Sequence, residues 1–244
     1  DRGRGAQTPP YELRPVEDGR GLGRLPAPDQ GDVFFDLEGD PFWDPARALW
    51  FLFGLVLWED GEWRYRAFWA HDPAEEQDAL AQTIDLISDR LVAYPDMHVY
   101  HYSHAEPSAL RSLAAQPSTR EEQVDDLLRR HVFVDLYAVV RQALVVGATG
   151  YGLKITEKLA DFTRAADVGS GSDAVLAYER WRLDREQAQL DEIASYNDED
   201  CRATLVLSDW LITQRPDGMA WWVPKQDPAE TVLTDAQAER LKVR

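Results

Sequence analysis

The stretch VFFDLEGDPF, residues 33–42, most constrains what this chain can fold into. It sets two acids, Asp36 and Glu38, one residue apart on an otherwise apolar strand. Side chains of an extended chain alternate between faces, so Phe34, Asp36 and Glu38 share one face while Val33, Phe35 and Leu37 share the other. Adjacent carboxylates raise each other's pKa, and burial raises both. Either the pair stands at a solvated strand end or something positive neutralises it. Hard divalent cations such as magnesium and manganese take oxygen ligands and bridge to phosphates, which makes them the obvious remedy.

The rest of the chain places this strand in a fold. Residues 1–31 carry Gly, Pro and Arg without apolar periodicity and read as a linker from an upstream domain, with order beginning near Asp32. After the strand at Val33–Glu38 come ALWFLFGLVLWE and RYRAFWA, joined through Asp60-Gly61, a hairpin turn signal, so three antiparallel strands open the domain. Residues 74–94 space Leu80, Ile84, Ile87 and Leu91 as an amphipathic helix that Pro95 ends. Short strands at 97–102 and 131–135 then alternate with helices at 106–115, 118–130, 135–145 and 153–162. TREE supplies a capping box for the second of these helices. VGSGSD at 168–173 interrupts the chain, and 174–213 is mostly helical. Residues 215–244 read as an irregular extension or linker with a last helix from Asp235. This order predicts an α/β fold whose mixed sheet, three antiparallel strands and then parallel ones, carries packed helices, with residues 32–214 as one domain.

Charge limits the partners. Asp and Glu number 44 against 26 Lys and Arg, a net charge of -18, so bulk electrostatics would not draw a nucleic acid and any phosphate site needs local positive charge. The single cysteine, Cys201, excludes an internal disulfide and a thiolate zinc cluster and makes the cytoplasm the expected compartment. The most apolar run, 48–58, is too short to span a bilayer, so no membrane partner is expected. A chain that begins at Asp1 reads as a fragment of something longer.

Two further acidic loci complete the pattern. In YNDEDC, Tyr196 and Asp200 stand four apart and share one helical face, while Asp198 and Glu199 point elsewhere and read as solvated. In HVYHYSHAEPSAL, Glu106 follows a short strand and opens a helix, where an acid is also favoured by the helix dipole.

Taken in order, Asp36-Leu37-Glu38, then Glu106, then Tyr196 with Asp200 resemble the three motifs of the DEDD superfamily of 3′ to 5′ exonucleases on the ribonuclease H-like fold. Glu106 departs from the Asp, in an Asn-x-x-x-Asp context, that this family more often has. Tyr196 makes it the Tyr type, since no His lies at or near that position. More narrowly, FFDLEGDPF, VYHYSHAEPSAL, GYGLKITEKL and YNDEDC resemble the ribonuclease H-like domain found in bacterial proteins beside a RecB-like nuclease domain, often with a helicase after it. The likeness covers roughly residues 31–214.

The resemblance implies helices on both faces of the sheet and two Mg2+ or Mn2+ ions about 4 Å apart clamping a scissile phosphate. Asp36 would bridge both ions, Glu38 and Asp200 would hold the nucleophile-side ion, Glu106 would bind the second, and Tyr196 would orient the attacking water. It further implies a nucleic acid substrate, DNA ahead of RNA, and covalently linked RecB-like nuclease and helicase domains. Lys154 matches a lysine of the narrower family and reads as a phosphate contact or a solvated helix residue. Phe42 and Trp43 could stack on a base, with core packing the default for the other tryptophans. His104 could line the cleft near Glu106. His101 and His104 have a zinc-like spacing but lack further soft ligands, so zinc is not expected. Cys201 reads as a small core residue. Asp135 is a further acid or a helix cap, and Asp40 a turn residue or an outer-shell group. A catalytically idle module that binds nucleic acid or docks a partner domain remains the alternative to a nuclease, as does endonuclease action on an RNA and DNA hybrid.

Overall fold

The hairpin signalled by Asp60-Gly61 forms, with both residues at positive φ (51° and 86°), the backbone that a two-residue turn of matching twist requires. It joins β3 (Arg47–Glu59) to β4 (Glu62–Trp69), and β3 also pairs antiparallel with β2 (Val33–Asp44). The computed structural model describes residues 8–45, 47–116, 120–165 and 171–224. On the other side of β2, β5 (Val99–His101) pairs in parallel, and β6 (Phe133–Asp135) pairs in parallel with β5. The five-stranded order β4-β3-β2-β5-β6 is the mixed sheet expected from the sequence.

Helices cover both faces, as expected. Val33 and Phe35 of β2 with Phe53, Leu55 and Leu57 of β3 pack on α1 (Pro73–Ala93), α2 (Ala105–Ala114) and α3 (Glu121–Arg129). The opposite face, with Phe34, Val56, Tyr100 and Val134, packs on α4 (Leu136–Ala143) and the long α7 (Gln187–Thr213). A third cluster joins Leu49 and Phe51 to α6 (Gly171–Asp184) and the start of α7. A register shift between Glu38 and Gly39 changes which β3 residues face that way. Asp72 starts α1 by accepting from the amides of Ala74 and Glu75, with Pro73 in the first turn. Among the described residues no helix is long and apolar enough to cross a membrane.

Several expectations are corrected. Order begins well before Asp32: β1 (Tyr11–Leu13) pairs antiparallel with β7 (Leu144–Val146), and a 3-10 turn at Gly21–Arg24 places Leu22 and Leu25 in the core at 3% and 0% exposure. This segment folds through isolated anchors, so it has no period to detect. Residues 215–224 lie back on it, with the Trp222 amide donating to the Leu25 carbonyl at 3.1 Å. The helix expected at 153–162 is α5 (Leu153–Thr156) followed by a 3-10 turn, Glu157–Ala160. The long helical stretch is two helices, broken where Arg185 takes a φ of 61°. Ser118 and Thr119, the latter the capping residue of TREE, the Val168–Ser170 part of the chain break and the helix from Asp235 lie outside the described residues.

Candidate metal centre

The two-residue repeat of β2 turns Asp36 and Glu38 toward α7, on the face where Phe34 joins the α7 core. Opposite Asp36 in the ladder stands Gly54. The helix comes so close there that a Cβ on Gly54 would fall 1.5 Å from Asn197 Oδ1. Asp200, three residues further along α7, therefore reaches the strand. One carboxylate oxygen each from Asp36, Glu38 and Asp200 lie within 4.8 Å of one another, which makes this trio a group able to hold a metal ion. Glu38 and Asp200 are buried, and Asp36 is half-buried.

All three acids resist ionisation. Burial pushes Asp36 well above the usual carboxylate range, and the charges of Glu38, Asp200 and Glu106 push it further. Burial and Asp200 raise Glu38 to about 8, against a hydrogen bond from Asn197 and the nearby charge of Lys154. Burial also raises Asp200, opposed by Arg164, by the Tyr196 hydroxyl and by Lys154. Three hard oxygen donors whose repulsion is only partly relieved by protein cations fit a divalent ion.

Two residues at this site were not foreseen. Asn197 is fully buried, donates from Nδ2 to Asp36 Oδ2 at 2.8 Å, and accepts at Oδ1 from the Tyr65 hydroxyl at 2.8 Å. It stands inside YNDEDC one residue after Tyr196, and an uncharged amide among acids was the available signal. Arg164 grips Glu157 with two hydrogen bonds, Nε to Oε1 at 3.0 Å and Nη2 to Oε2 at 2.7 Å, and also donates to Asp200. It lies in a stretch without periodicity, and nothing in the sequence marked it.

The other expected residues are distributed as follows. Tyr196 is buried beside the trio, where its hydroxyl favours the charged form of Asp200, and burial raises its own pKa above the ordinary tyrosine range. Lys154, at the start of α5, sets its Nζ 4.6 Å from the Tyr196 ring centre. That helix is held down by the Tyr102 hydroxyl, which donates to the Tyr151 carbonyl at 2.7 Å and shares a hydrogen bond with Thr156. Glu106 is buried outside the trio, accepting from Ser103 Oγ at 2.9 Å with His101 Nδ1 3.4 Å away, yet its charge still reaches Asp36. His104 is exposed at the start of α2. Phe42 is 84% exposed past the end of the cleft, whereas Trp43 packs against the third core cluster with Arg182 over its ring.

Glu199, expected to be solvated, is buried instead: its Oε1 accepts from the Ala165 amide at 2.7 Å because the helix face it occupies packs on the 161–165 segment. Asp198 pairs with Arg202. Cys201 is a core residue, with burial raising its thiol pKa. Asp135 caps α4 through the Ala138 amide, and Asp40, buried within β2, accepts from the Phe42 amide at an irregularity of the strand.

A family model described as the RNase_H superfamily matches residues 33–212. No curated protein and no solved structure matches the chain. The match spans the mixed sheet, the helices on both its faces and all three acids of the trio. With its ribonuclease H-like fold, the chain belongs to the RNase_H superfamily.

Proposed function

We propose that this domain is a divalent-metal-dependent 3′ to 5′ exonuclease that shortens DNA, single strands by preference, as one module of a larger cytoplasmic nucleic-acid processing protein. The observation that carries the reading is the convergence of Asp36, Glu38 and Asp200 beside the buried Tyr196. Asp36, Glu38 and Asp200 would hold magnesium or manganese, and Glu106 would serve a second ion. Bound there, two such ions lower the pKa of an attacking water and stabilise the leaving oxygen.

The chain's own residues position the reactants. Tyr196 stays protonated at neutral pH beside Asp200 and keeps oxygen lone pairs with which to accept from and aim a water. Asn197 fixes the Asp36 carboxylate. Lys154 and Arg164 bring positive charge to the one place where an acidic chain must meet a phosphate. Phe42 offers an exposed ring to stack on a terminal base. Linked RecB-like nuclease and helicase domains would supply the affinity that a net charge of -18 withholds.

The test is an assay of labelled single strands, DNA beside RNA, with magnesium, manganese or a chelator, run alongside Asp36→Asn and Asp200→Asn. The expected result is metal-dependent stepwise loss from the 3′ end that both substitutions abolish. Activity surviving both would reject the site, and internal cuts would reject the exonuclease assignment. One observation favours a second reading: Glu106 is engaged by Ser103 and lies outside the trio, as suits an idle binding module. That module would bind strands and cut none with either metal.

A further inference from the structure

We propose that Arg164 is a built-in substitute for a metal ion: in the metal-free protein it occupies the Asp200 carboxylate, and an arriving divalent ion takes that carboxylate from it. The inference rests on the metal-centre reading and concerns how the centre is kept assembled when empty.

The geometry separates an anchor from an exchangeable contact. Two parallel hydrogen bonds tie the guanidinium to Glu157, only seven residues away, in a fork that uses no atom of Asp200. The Asp200 contact uses Nη2, a nitrogen that already serves Glu157, and spans 36 residues to another element. Nη1 lies 3.8 Å from Glu199 Oε2 and makes no hydrogen bond in the structure. Arg164 can therefore release Asp200 and remain paired with Glu157 and Glu199.

The charges point the same way. Glu157, Glu199 and Asp200 surround one guanidinium whose side chain is 11% exposed, and Asp36 and Glu38 stand just beyond Asp200. Burial works against the arginine's charge but is outweighed by Glu157 and Asp200, which hold it firmly protonated. One cation cannot balance this many buried acids, so a dication at the trio adds to Arg164's charge without expelling it. Without Arg164, the empty trio would spread by repulsion. With it, Asp200 stays aimed at β2, and the ion meets a nearly finished site but must compete for one ligand.

The competition is measurable by titrating Mn2+ calorimetrically into the whole chain and into Arg164→Gln, with Asp36→Asn as the control that removes the centre. Removing the competitor is expected to tighten Mn2+ binding about tenfold. The Mn2+-induced rise in melting temperature should also be larger in the variant, because the ion then replaces a missing charge. If Arg164→Gln alone does not fold, the double variant Glu157→Gln/Arg164→Gln removes an acid with the cation and should show the same tightening. Wild-type binding that Asp36→Asn abolishes, with equal or weaker affinity in the Arg164 variants, would overturn the substitution while leaving the metal centre standing. No Mn2+ binding to any of these proteins would overturn both.

Discussion

Glu76 on α1 and the Asp36–Glu38–Asp200 trio are buried acids on opposite faces of one sheet, and they are satisfied in opposite ways. Glu76 is fully buried, and each oxygen has its own donor: the Trp50 amide at 2.7 Å on one and Arg47 on the other. Burial raises its pKa, and these two donors pull it back. One acid meets one cation, and the account closes. In the trio three acids meet an amide, a tyrosine, the nearby charge of Lys154 and an arginine already committed to Glu157. Burial of an acid is thus no mark of a site by itself. The mark is a local charge that the protein leaves unbalanced.

The largest effect that would break this comparison is on activity. Asp36→Asn or Asp200→Asn removes a ligand and should lower strand cleavage about a thousandfold or more, while the metal-free protein melts no lower than wild type because repulsion has been relieved. Loss of folding in Asp36→Asn would show that the acid is structural after all. Next, Glu76→Ala should destabilise by about 1–3 kcal/mol, since the Trp50 amide loses its acceptor and Arg47 its partner. Urea unfolding gives the loss, and calorimetry should find Mn2+ affinity unchanged. A shift in metal affinity there would mean that the two faces are not independent.

The pH dependence sharpens the contrast. Glu38 has a folded pKa of about 8 against an ordinary 4.5, so between these values the folded chain holds more protons than the unfolded one. Stability of the metal-free protein should therefore fall as pH rises through that window, by up to about 1.4 kcal/mol per pH unit for this acid. Saturating Mn2+ should flatten the slope, and a flat slope without metal would mean that the trio is already neutralised. The smallest effect belongs to the rim. Phe42→Ala should change stability by less than about 0.5 kcal/mol and raise KM for a single strand several-fold, with kcat nearly constant.

What the sequence made legible followed from period and order. The hairpin at Asp60-Gly61, the amphipathic α1 and the alternation in β2 each have a repeat that one residue type sets, and each forms as expected. The meeting of Asp36, Glu38 and Asp200 was legible from the order of the motifs. Residues that work through single long-range contacts were not. Arg164 and Glu199 acquire their roles only when α7 meets the 161–165 segment, and Leu22 and Leu25 only when that early turn lies on α4 and α7. Glu199 and Asp200 both reach Arg164, but successive helical residues point some 100° apart, so only Asp200 also faces Asp36 and Glu38 while Glu199 accepts from the Ala165 amide.

Gly54 carries a last consequence. The clearance between strand and helix at the metal centre is gauged by a hydrogen atom where other residues would place a carbon. Filling that space with Gly54→Ala touches no acid and alters no charge, but it would drive the Asn197 amide aside and with it the hydrogen bond that aims Asp36. The aim of a metal ligand is thus set from a position that has no side chain at all.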